Sequence, residues 1–277
     1  MSNLYQEIKQ QLAKDYALSE SAALAKLILT EHFDVPILDL YTGKGIELTE
    51  KQQQELATIL QKLEKQAPIQ YLLGYAFFKG RRFMVTPDVL IPRPETEELV
   101  ELIVRNNTVK EPKILDVGTG SGCIAISLGG DIEDANVTAI DISDAALKVA
   151  QSNALQLKVK IDFIQMNILK SLPKGRFDVV VSNPPYIAEK EKKEMEQNVL
   201  DYEPSLALFV SDDDPLLFYR VIAEKAQLLL NKEGRLYFEI NQAYGEEVKQ
   251  LLIDLQYSDV KLYKDLNQKD RIVTARR

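Results

Sequence analysis

The chain has 277 residues, of which 45% are hydrophobic and 27% are charged, so it carries enough apolar material for a sizeable core. A single cysteine, Cys123, and a single histidine, His32, exclude a disulfide framework and a Cys/His zinc site and disfavour a Ser-His-Asp triad. No apolar run approaches the roughly 18 residues of a membrane span, and no signal-peptide pattern opens the chain. Because the net charge is −8, proteins that bind nucleic acid through its phosphates are also disfavoured. We expect a cytoplasmic protein without a metal site.

Residues 1–74 are predicted to form a small bundle of helices. Apolar residues recur at helical spacing in three stretches: Leu4, Ile8 and Leu12; Leu24, Leu27 and Ile28; and Leu56, Ile59, Leu60 and Leu63. Ser19 is expected to cap the second helix, and Thr49 with Gln52 fits a capping box before the third. Periodicity alone does not separate a partner-binding module from a scaffold.

Residues 75–91 are predicted to form a β-hairpin that links two domains. Aromatic and small residues alternate in this stretch, and Gly80 is the expected turn residue. Pro92 and Pro94 then end the extended segment, and Pro94 suits the first position of a helix.

Residues 92–277 alternate between short apolar strands and helices. Seven strands are predicted, at 113–117, 137–141, 161–165, 177–182, 235–240, 260–263 and 271–275. The fourth strand is almost continuously apolar, as expected of a strand that is buried on both faces of a parallel sheet. The alternation predicts an α/β fold with a doubly wound, mostly parallel sheet, whose ligand lies beyond the carboxyl ends of the strands.

A glycine-rich loop follows the first of these strands and opens a helix. It consists of Gly118, Thr119, Gly120, Ser121 and Gly122, with Asp116 two residues before it. Glycines permit a tight turn and close approach of a ligand, and the amides of a helix N-terminus can face that ligand. The spacing differs from the dinucleotide pattern G-x-G-x-x-G, and no P-loop lysine is present. We therefore favour a nucleotide-type ligand over a structural turn, with a dinucleotide and S-adenosylmethionine as the alternatives.

Asp141 ends the second strand and stands near the glycine loop in such a fold. A carboxylate at this position can accept both hydroxyls of a ribose. The alternative is a surface acid that caps the helix beginning at Ser143. The pairing with a glycine loop favours the ribose role.

The segment Asn183-Pro184-Pro185-Tyr186 directly follows the fourth strand. Two consecutive prolines stiffen the backbone and lack N–H groups, which leaves nearby carbonyls available as acceptors. A planar NH2 group can donate its two hydrogens to the Asn183 side chain and to the Pro184 carbonyl. A proline-rich structural turn is the alternative, and the position at the carboxyl edge of the sheet disfavours it.

Together these motifs resemble the class I S-adenosylmethionine-dependent amino-methyltransferases. Further stretches, at 70–74, 89–97, 201–204 and 207–208, resemble one branch of them, the HemK/PrmC family. That family methylates the glutamine of the Gly-Gly-Gln motif in peptide-chain release factors. The resemblance covers roughly residues 68–277, and the helical N-terminus agrees with the architecture of the family.

The resemblance implies a class I methyltransferase fold, a catalytic mechanism and a set of site residues. S-adenosylmethionine is the implied cofactor, with S-adenosylhomocysteine as product, and class 1 release factors are the implied protein substrates. The implied catalytic residues are Asn183, Pro184 and Tyr186, and with Pro185 they form the substrate site. The implied cofactor contacts are Gly118, Thr119, Gly120, Ser121, Gly122, Asp141, Asn167, Ile168 and Asn183. Asn167 stands where the family often has an acidic residue near the adenine, so it would contact the base edge through its amide.

The predicted domains and partners follow from the same resemblance. Residues 1–74 are expected to recognise the protein substrate, residues 75–91 to link, and residues 92–277 to bind the cofactor. Tyr186 is expected to pack on the flat amide of the substrate and exclude water. We expect a monomer that contacts neither membrane nor nucleic acid.

Three other functions compete with this interpretation. An adenine or guanine N-methyltransferase acting on DNA or RNA would also present an exocyclic amine to such a motif, but it would need a basic, aromatic surface. A non-catalytic scaffold is disfavoured by the intact glycine loop and Asn183. A dehydrogenase is disfavoured by the spacing of that loop.

Overall fold

The computed structural model describes residues 4–42, 45–195 and 197–277. The chain divides into two compact units, of which the first holds the chain up to Gly74 together with Gln197–Tyr202, and the second holds the remainder. Across the described ranges, no helix is both long enough and apolar enough to cross a bilayer.

The first unit is helical. Its helices are α1 (Leu4–Leu12), α2 (Leu18–Leu27, continued by a π-helical turn at Ile28–His32), α3 (Ile37–Tyr41), α4 (Glu50–Leu63) and α5 (Ile69–Leu73), and Gln197–Tyr202 form a further one. Their apolar faces enclose a core that includes Ile8, Leu12, Ile28, Leu29, Leu40, Leu60 and Leu63. The predicted apolar stripes are therefore the stripes that face the core.

The ends of two of these helices test the capping predictions. The capping box of α4 is confirmed, because Gln52 N–H donates to the Thr49 side chain and the Gln52 side chain accepts from Thr49 N–H. The prediction that Ser19 caps α2 is wrong. That helix begins at Leu18, with Ala17 before it, so Ser19 lies inside the first turn.

The second unit opens with a hairpin of β1 (Tyr75–Phe78) and β2 (Arg81–Met84). Its two turn residues, Lys79 and Gly80, have φ of +47° and +69°, as a tight two-residue turn requires. The Asn153 side chain pairs with this hairpin as a strand would. Its Oδ1 accepts from Met84 N–H over 2.7 Å, and its Nδ2 donates to the carbonyls of Met84 over 3.0 Å and Ser121 over 2.9 Å.

The remaining elements build a seven-stranded sheet between helices. In chain order they are α6 (Pro94–Asn106), β3 (Lys113–Val117), α7 (Cys123–Asp131), β4 (Asn136–Asp141), α8 (Asp144–Leu157), β5 (Asp162–Gln165), β6 (Phe177–Ser182), β7 (Ile187–Ala188), α9 (Gln197–Tyr202, in the first unit), α10 (Ser205–Leu208), β8 (Phe209–Val210), α11 (Leu217–Leu229), β9 (Leu230–Glu239), α12 (Gly245–Asp254), β10 (Ser258–Lys264) and β11 (Asp270–Arg276). Short 3₁₀ turns lie at Glu189–Glu194 and Gln242–Tyr244.

The order of the strands in the large sheet is β10-β11-β9-β6-β3-β4-β5. Strands β9, β6, β3, β4 and β5 run parallel, and β11 is antiparallel to both of its neighbours. The predicted α/β fold with seven strands is therefore confirmed, and so is Pro94 in the first turn of α6.

Both faces of this sheet are buried. Successive strand residues point to opposite faces, and they divide between two clusters: Ile114, Val179 and Val181 lie in one, and Leu115, Val180 and Phe238 in the other. Burying each such side chain stabilises the fold by about 1.5–3 kcal/mol. The two-sided core fixes the carboxyl edge of the sheet, where the candidate site lies.

Candidate active site

The loops that carry the motifs leave three neighbouring parallel strands at the same edge. Val117, the last residue of β3, pairs with Ile140 of β4 on one side and with Ser182 of β6 on the other. The buried Ser182 hydroxyl donates to the Val117 carbonyl over 2.7 Å. This bond holds the ends of β3 and β6 together, so the glycine loop and Asn183 begin side by side.

These loops enclose a cavity of about 510 Å³ in the second unit. Small-molecule sites typically have volumes of roughly 300–1,000 Å³. The sequence-predicted residues on its wall are Gly118, Thr119, Gly120, Ser121, Asp141, Asn167, Ile168, Asn183, Pro184 and Pro185. The two remaining predicted residues, Gly122 and Tyr186, do not line it.

The glycine loop is shaped by its backbone. Gly118, Gly120 and Gly122 have φ of +75°, +55° and +81°, a region that side chains with a Cβ rarely adopt. A Cβ at Gly118 or Gly120 would meet only open space, so a side chain there would occupy the volume of a ligand. A Cβ at Gly122 would lie 2.8 Å from Ile126 Cδ1, which places this glycine behind the loop, where α7 packs.

Asp141 organises the wall opposite the end of β3. Its Oδ2 accepts from Gly120 N–H and its Oδ1 from Ser143 N–H, both over 2.9 Å. Burial raises the pKa of Asp141, and these backbone hydrogen bonds oppose the rise. The Ser143 side chain, which accepts from Ala146 N–H, is the cap of α8. Each Asp141 oxygen keeps a second lone pair with which it can accept a hydroxyl.

Asp116, just before the loop, is a buried acid. Its Oδ2 accepts from the Thr119 hydroxyl over 2.6 Å, and its Oδ1 has no hydrogen-bond partner among the described residues. Burial raises the pKa of Asp116 to about 7, although the Thr119 hydrogen bond lowers it. An acceptor without a partner beside a ligand cavity is costly unless a ligand or water satisfies it.

Asn167 and Ile168 form the far end of the cavity wall. Asn167 Oδ1 accepts from Leu169 N–H over 2.9 Å, so the carbonyl end of its side chain builds its own loop. The Lys225 ammonium group donates to the carbonyl oxygens of Ile168 and Ser171 and fixes the loop from α11. The rest of this end is mostly apolar, and it includes Ile140, Ile142, Met166, Phe218 and Ile222. Such a surface suits a flat aromatic base.

Asn183 lies beside two buried polar residues that were not among the predicted site residues. Thr96 in the first turn of α6 and Glu239 at the end of β9 are 3% and 1% exposed. The Thr96 hydroxyl donates to Glu239 Oε2 over 2.6 Å, and Asn183 Nδ2 is 3.5 Å from Thr96 Oγ1. The Asn183 side chain also interacts with the Glu239 carboxylate and helps to lower its pKa. Burial raises the pKa of Glu239 to about 7, while the Thr96 hydrogen bond and the Arg271 charge lower it.

Tyr186, the last residue of the Asn183–Tyr186 segment, is partly buried. Its ring packs against the apolar cluster beside β9 and α11 and is not part of the cavity wall. Its carbonyl accepts from Asn241 Nδ2 over 3.3 Å, and burial raises the pKa of its hydroxyl. Pro184 and Pro185 line the cavity and Tyr186 follows them, so the expected packing of this ring on a substrate amide stays a prediction.

Another side of the cavity is built by residues outside the predicted site, and all of them except Leu206 lie in stretches that carried the resemblance. Arg93, Pro204, Leu206 and Ala207 line it. Arg93 donates to Glu203 Oε1 over 2.5 Å, and Glu203 is buried. The presence of Arg93 and Pro204 in recognisable motifs was the available signal for this side. For Thr96 a similar signal existed, and for Glu239 there was none.

The arrangement fits S-adenosylmethionine. The glycine loop and Asp141 suit the amino-acid and ribose portions of the cofactor. The apolar end beyond Ile168 suits its adenine. Asn183 and the Pro184 carbonyl, on the same cavity wall, then offer two acceptors to an incoming NH2 group.

Comparisons with known proteins cover the whole chain. Residues 3–74 match the family model of the PrmC N-terminal domain, and residues 95–203 match that of the methyltransferase small domain. A release factor glutamine methyltransferase from Bacteroides thetaiotaomicron is 50% identical over 279 residues, which cover 100% of both chains. One from Flavobacterium psychrophilum is 45% identical over 278 residues, which cover 99% of this chain and 98% of that one.

A solved structure of lower similarity shares the fold. The 16S rRNA methyltransferase RsmC of T. thermophilus, in complex with AdoMet and guanosine, superposes with a TM-score of 0.53 at 18% identity and covers 73% of this chain and 49% of that chain. Its fold therefore does not discriminate between amine substrates. The full-length relatives do, and they confirm the resemblance to the HemK/PrmC family. The chain belongs to the family of release factor glutamine methyltransferases.

Proposed function

We propose that this protein transfers a methyl group from S-adenosylmethionine to the side-chain nitrogen of the glutamine in the Gly-Gly-Gln motif of class 1 release factors. The observation that carries the proposal is the position of Asn183 and Pro184 on the wall of the cavity. Full-length relatives at 45–50% identity carry the name of this activity and support it.

The cofactor contacts are proposed from the cavity wall. Gly118–Ser121 and Asp141 would hold the amino-acid and ribose portions, and Ile168 with Asn167 would hold the base. Gly122 acts indirectly, because it shapes the loop from behind. When bound, S-adenosylmethionine supplies an electrophilic methyl group on a sulfonium.

The role of the protein is to orient a poor nucleophile. The lone pair of an amide nitrogen is delocalised into its carbonyl, so the reaction depends on position. We propose that Asn183 Oδ1 and the Pro184 carbonyl accept the two N–H hydrogens of the glutamine. These acceptors also stabilise the positive charge that develops on nitrogen before it loses a proton. No histidine is required, and His32 pairs with Glu55 in the first unit.

The test is a substrate panel. Purified enzyme is incubated with labelled S-adenosylmethionine and, separately, with release factors, tRNA, rRNA and DNA. Label is expected in the release factor alone, and mass spectrometry should place it on the glutamine side-chain nitrogen. A release factor with Gln→Asn in its Gly-Gly-Gln motif is the matched control. Label in nucleic acid would favour the adenine or guanine methyltransferase instead.

We further propose that the first unit recognises the protein substrate. Three of its apolar side chains are 65–71% exposed, namely Leu18, Leu38 and Tyr41. Leu38→Ser should raise KM for a whole release factor by about threefold or more, because apolar anchors contribute strongly to protein interfaces. Turnover of a short Gly-Gly-Gln peptide should not change. Leu266→Ser, at an 86% exposed residue of the second unit, is the control.

We also propose that the enzyme works as a cytoplasmic monomer without direct nucleic-acid contacts. Release factors act in the cytoplasm, and the net charge of −8 opposes binding to phosphates. Light scattering tests the monomeric state, and a filter-binding assay with RNA tests the absence of nucleic-acid contacts.

A further inference from the structure

Thr96 and Glu239 are buried polar residues that meet beside Asn183, although α6 and β9 are far apart in the chain. Register explains the meeting: Ser182 pairs with Phe238, so the residues that follow them, Asn183 and Glu239, leave the sheet as neighbours. Thr96 contributes to the cavity wall, whereas Glu239 lies behind it. Burying a carboxylate is costly unless it is hydrogen-bonded, and Glu239 accepts a hydrogen bond from Thr96.

The hydrogen bonds around Asn183 have a fixed direction. A threonine hydroxyl has one hydrogen, and Thr96 donates it to Glu239 over 2.6 Å. Towards Asn183 the Thr96 oxygen can therefore act only as an acceptor. An ionised carboxylate also accepts and never donates. Both neighbours thus select the NH2 end of the Asn183 side chain, whose Nδ2 lies 3.5 Å from Thr96 Oγ1.

The selection matters because an asparagine amide is nearly symmetric in shape. Its oxygen and nitrogen occupy opposite branches of one planar group, and only hydrogen-bond partners distinguish its two orientations. When Nδ2 of Asn183 is held by Thr96 and Glu239, Oδ1 is left for the cavity. In the flipped orientation an NH2 group would face the NH2 group of the substrate, and two donors cannot bond.

We propose that Thr96 and Glu239 are positioning residues that lock the side-chain amide of Asn183 with its oxygen towards the substrate amide. This inference rests on the proposed glutamine methylation, since that reaction needs an acceptor at Asn183. The chain of bonds runs in one direction, from substrate N–H to Asn183 Oδ1 and from Asn183 Nδ2 to Thr96 and Glu239.

The lock depends on the charge of Glu239. The ionisable groups that face its carboxylate are Arg271, Glu95, Tyr186, Tyr219 and Cys123. The Arg271 cation favours the ionised form, and Glu95 opposes it. Because burial raises the pKa of Glu239 to about 7, protonation weakens the lock as the pH falls through that value. A protonated carboxyl can donate, and the NH2 end of Asn183 is then no longer selected.

The kinetic test uses two isosteric substitutions. Thr96→Val and Glu239→Gln should lower kcat on a release factor roughly 10- to 100-fold, the scale of losing an orienting partner. KM for S-adenosylmethionine should stay within about twofold. Thr96→Ser keeps the hydroxyl and should recover most of the loss. The control is Thr274→Val, at a buried threonine of β11 whose hydroxyl has no partner among the described residues.

The pH profile separates orientation from packing. The wild-type kcat should fall as the pH drops through about 7, and that step should be absent in Glu239→Gln. Wild-type turnover in both isosteric variants would overturn the proposal. So would a Thr96→Ser enzyme as slow as Thr96→Val, because packing and not a hydroxyl would then be the cause.

A spectroscopic readout keeps the test independent of the proposed function. The side-chain NH2 signals of Asn183, identified by their absence in Asn183→Ala, should shift in Thr96→Val and should titrate near pH 7 in the wild type. Signals that do neither would refute the lock even in an active enzyme. A wild-type enzyme that fails to label release factors, with the NH2 signals responding as expected, would refute the function and leave the lock standing.

Discussion

Two neighbouring parts of the cavity wall, the glycine-loop end and the Asn183 end, are built on different principles. At the glycine loop the ligand-facing groups are mostly backbone, and one continuous stretch of chain with Asp141 supplies them. At Asn183 they are side chains and a carbonyl, held by Thr96 and Glu239 from two other elements. The first end is sensitive to backbone conformation, and the second is sensitive to the exact donor or acceptor at each atom.

The difference predicts how each end fails. A substitution in the glycine loop should change stability and cofactor binding together, because the loop is both wall and backbone. A substitution near Asn183 should change the rate with little effect on cofactor binding, because it disturbs the orientation of one reacting group. Four experiments, in order of decreasing expected effect, test this difference.

The largest effect is expected for Asn183→Ala. Removal of one preorganised acceptor should lower the rate on a release factor by roughly 100-fold or more. Cofactor affinity, measured by calorimetry, should fall far less, because most of the cavity wall belongs to other residues. Near-normal turnover would contradict the proposed mechanism and would remove the distinction between the two ends.

Two glycines of one loop give the second test. Gly122→Ala combines a φ of +81° with a Cβ only 2.8 Å from Ile126 Cδ1, so unfolding should become easier by about 2–5 kcal/mol. Gly118→Ala has the same strain without the clash and should cost about 1–2 kcal/mol. Urea denaturation of both variants measures the difference. Equal losses would show that the space behind the loop is unimportant.

The third test concerns the ribose position. Asp141→Ala should weaken S-adenosylmethionine binding by about 1–3 kcal/mol, the cost of losing a buried hydrogen-bond partner. Asp144→Ala, at the exposed acid that pairs with Lys148 in the first turn of α8, is the control and should bind normally. Calorimetry that finds unchanged affinity in Asp141→Ala would remove this residue from the cofactor site.

The smallest effect is on the pH dependence of stability. Glu239 binds protons more tightly in the folded chain, where burial raises its pKa to about 7, than in the unfolded chain. Its contribution to stability is therefore largest at low pH and is lost as the pH rises from about 4.5 through 7. Between about pH 5.5 and pH 7 the loss amounts to roughly 1–2 kcal/mol.

Glu239→Gln should remove this share of the pH dependence in urea denaturation. Asp116→Asn is the matched substitution, because burial raises the pKa of Asp116 to about 7 as well. A Glu239→Gln protein with the full wild-type pH dependence would show that this carboxylate is ionised at little cost.

Most of the fold could be predicted, because each of its signals is local. The seven strands have short apolar runs bounded by turn residues, and the Thr49 capping box lies within four residues. The Ser19 cap failed for the same reason. A serine caps a helix only from the residue before its first turn, and α2 already begins at Leu18, one residue before Ser19.

The site was predictable where its residues are contiguous. The glycine loop, Asp141 and Asn183 each follow a strand, and parallel strands bring their carboxyl ends together. Glu239 also ends a strand, but an acidic residue at the end of a strand does not by itself indicate a functional site. Only the pairing of Ser182 with Phe238 shows that Glu239 lies beside Asn183. The role of Tyr186 stays a prediction, because its ring is partly buried beside the apolar cluster and does not line the cavity.

The Asn153 amide has a consequence for protein engineering. Because this one side chain is bonded to both backbone groups of Met84 and to the Ser121 carbonyl, the hairpin and the glycine loop are fastened to the same point on α8. The hairpin contributes only backbone groups to these bonds, so a hairpin grafted from a relative keeps its anchor as long as residue 153 of the host is asparagine. A chimaera cut between the hairpin and α8 should therefore retain that asparagine.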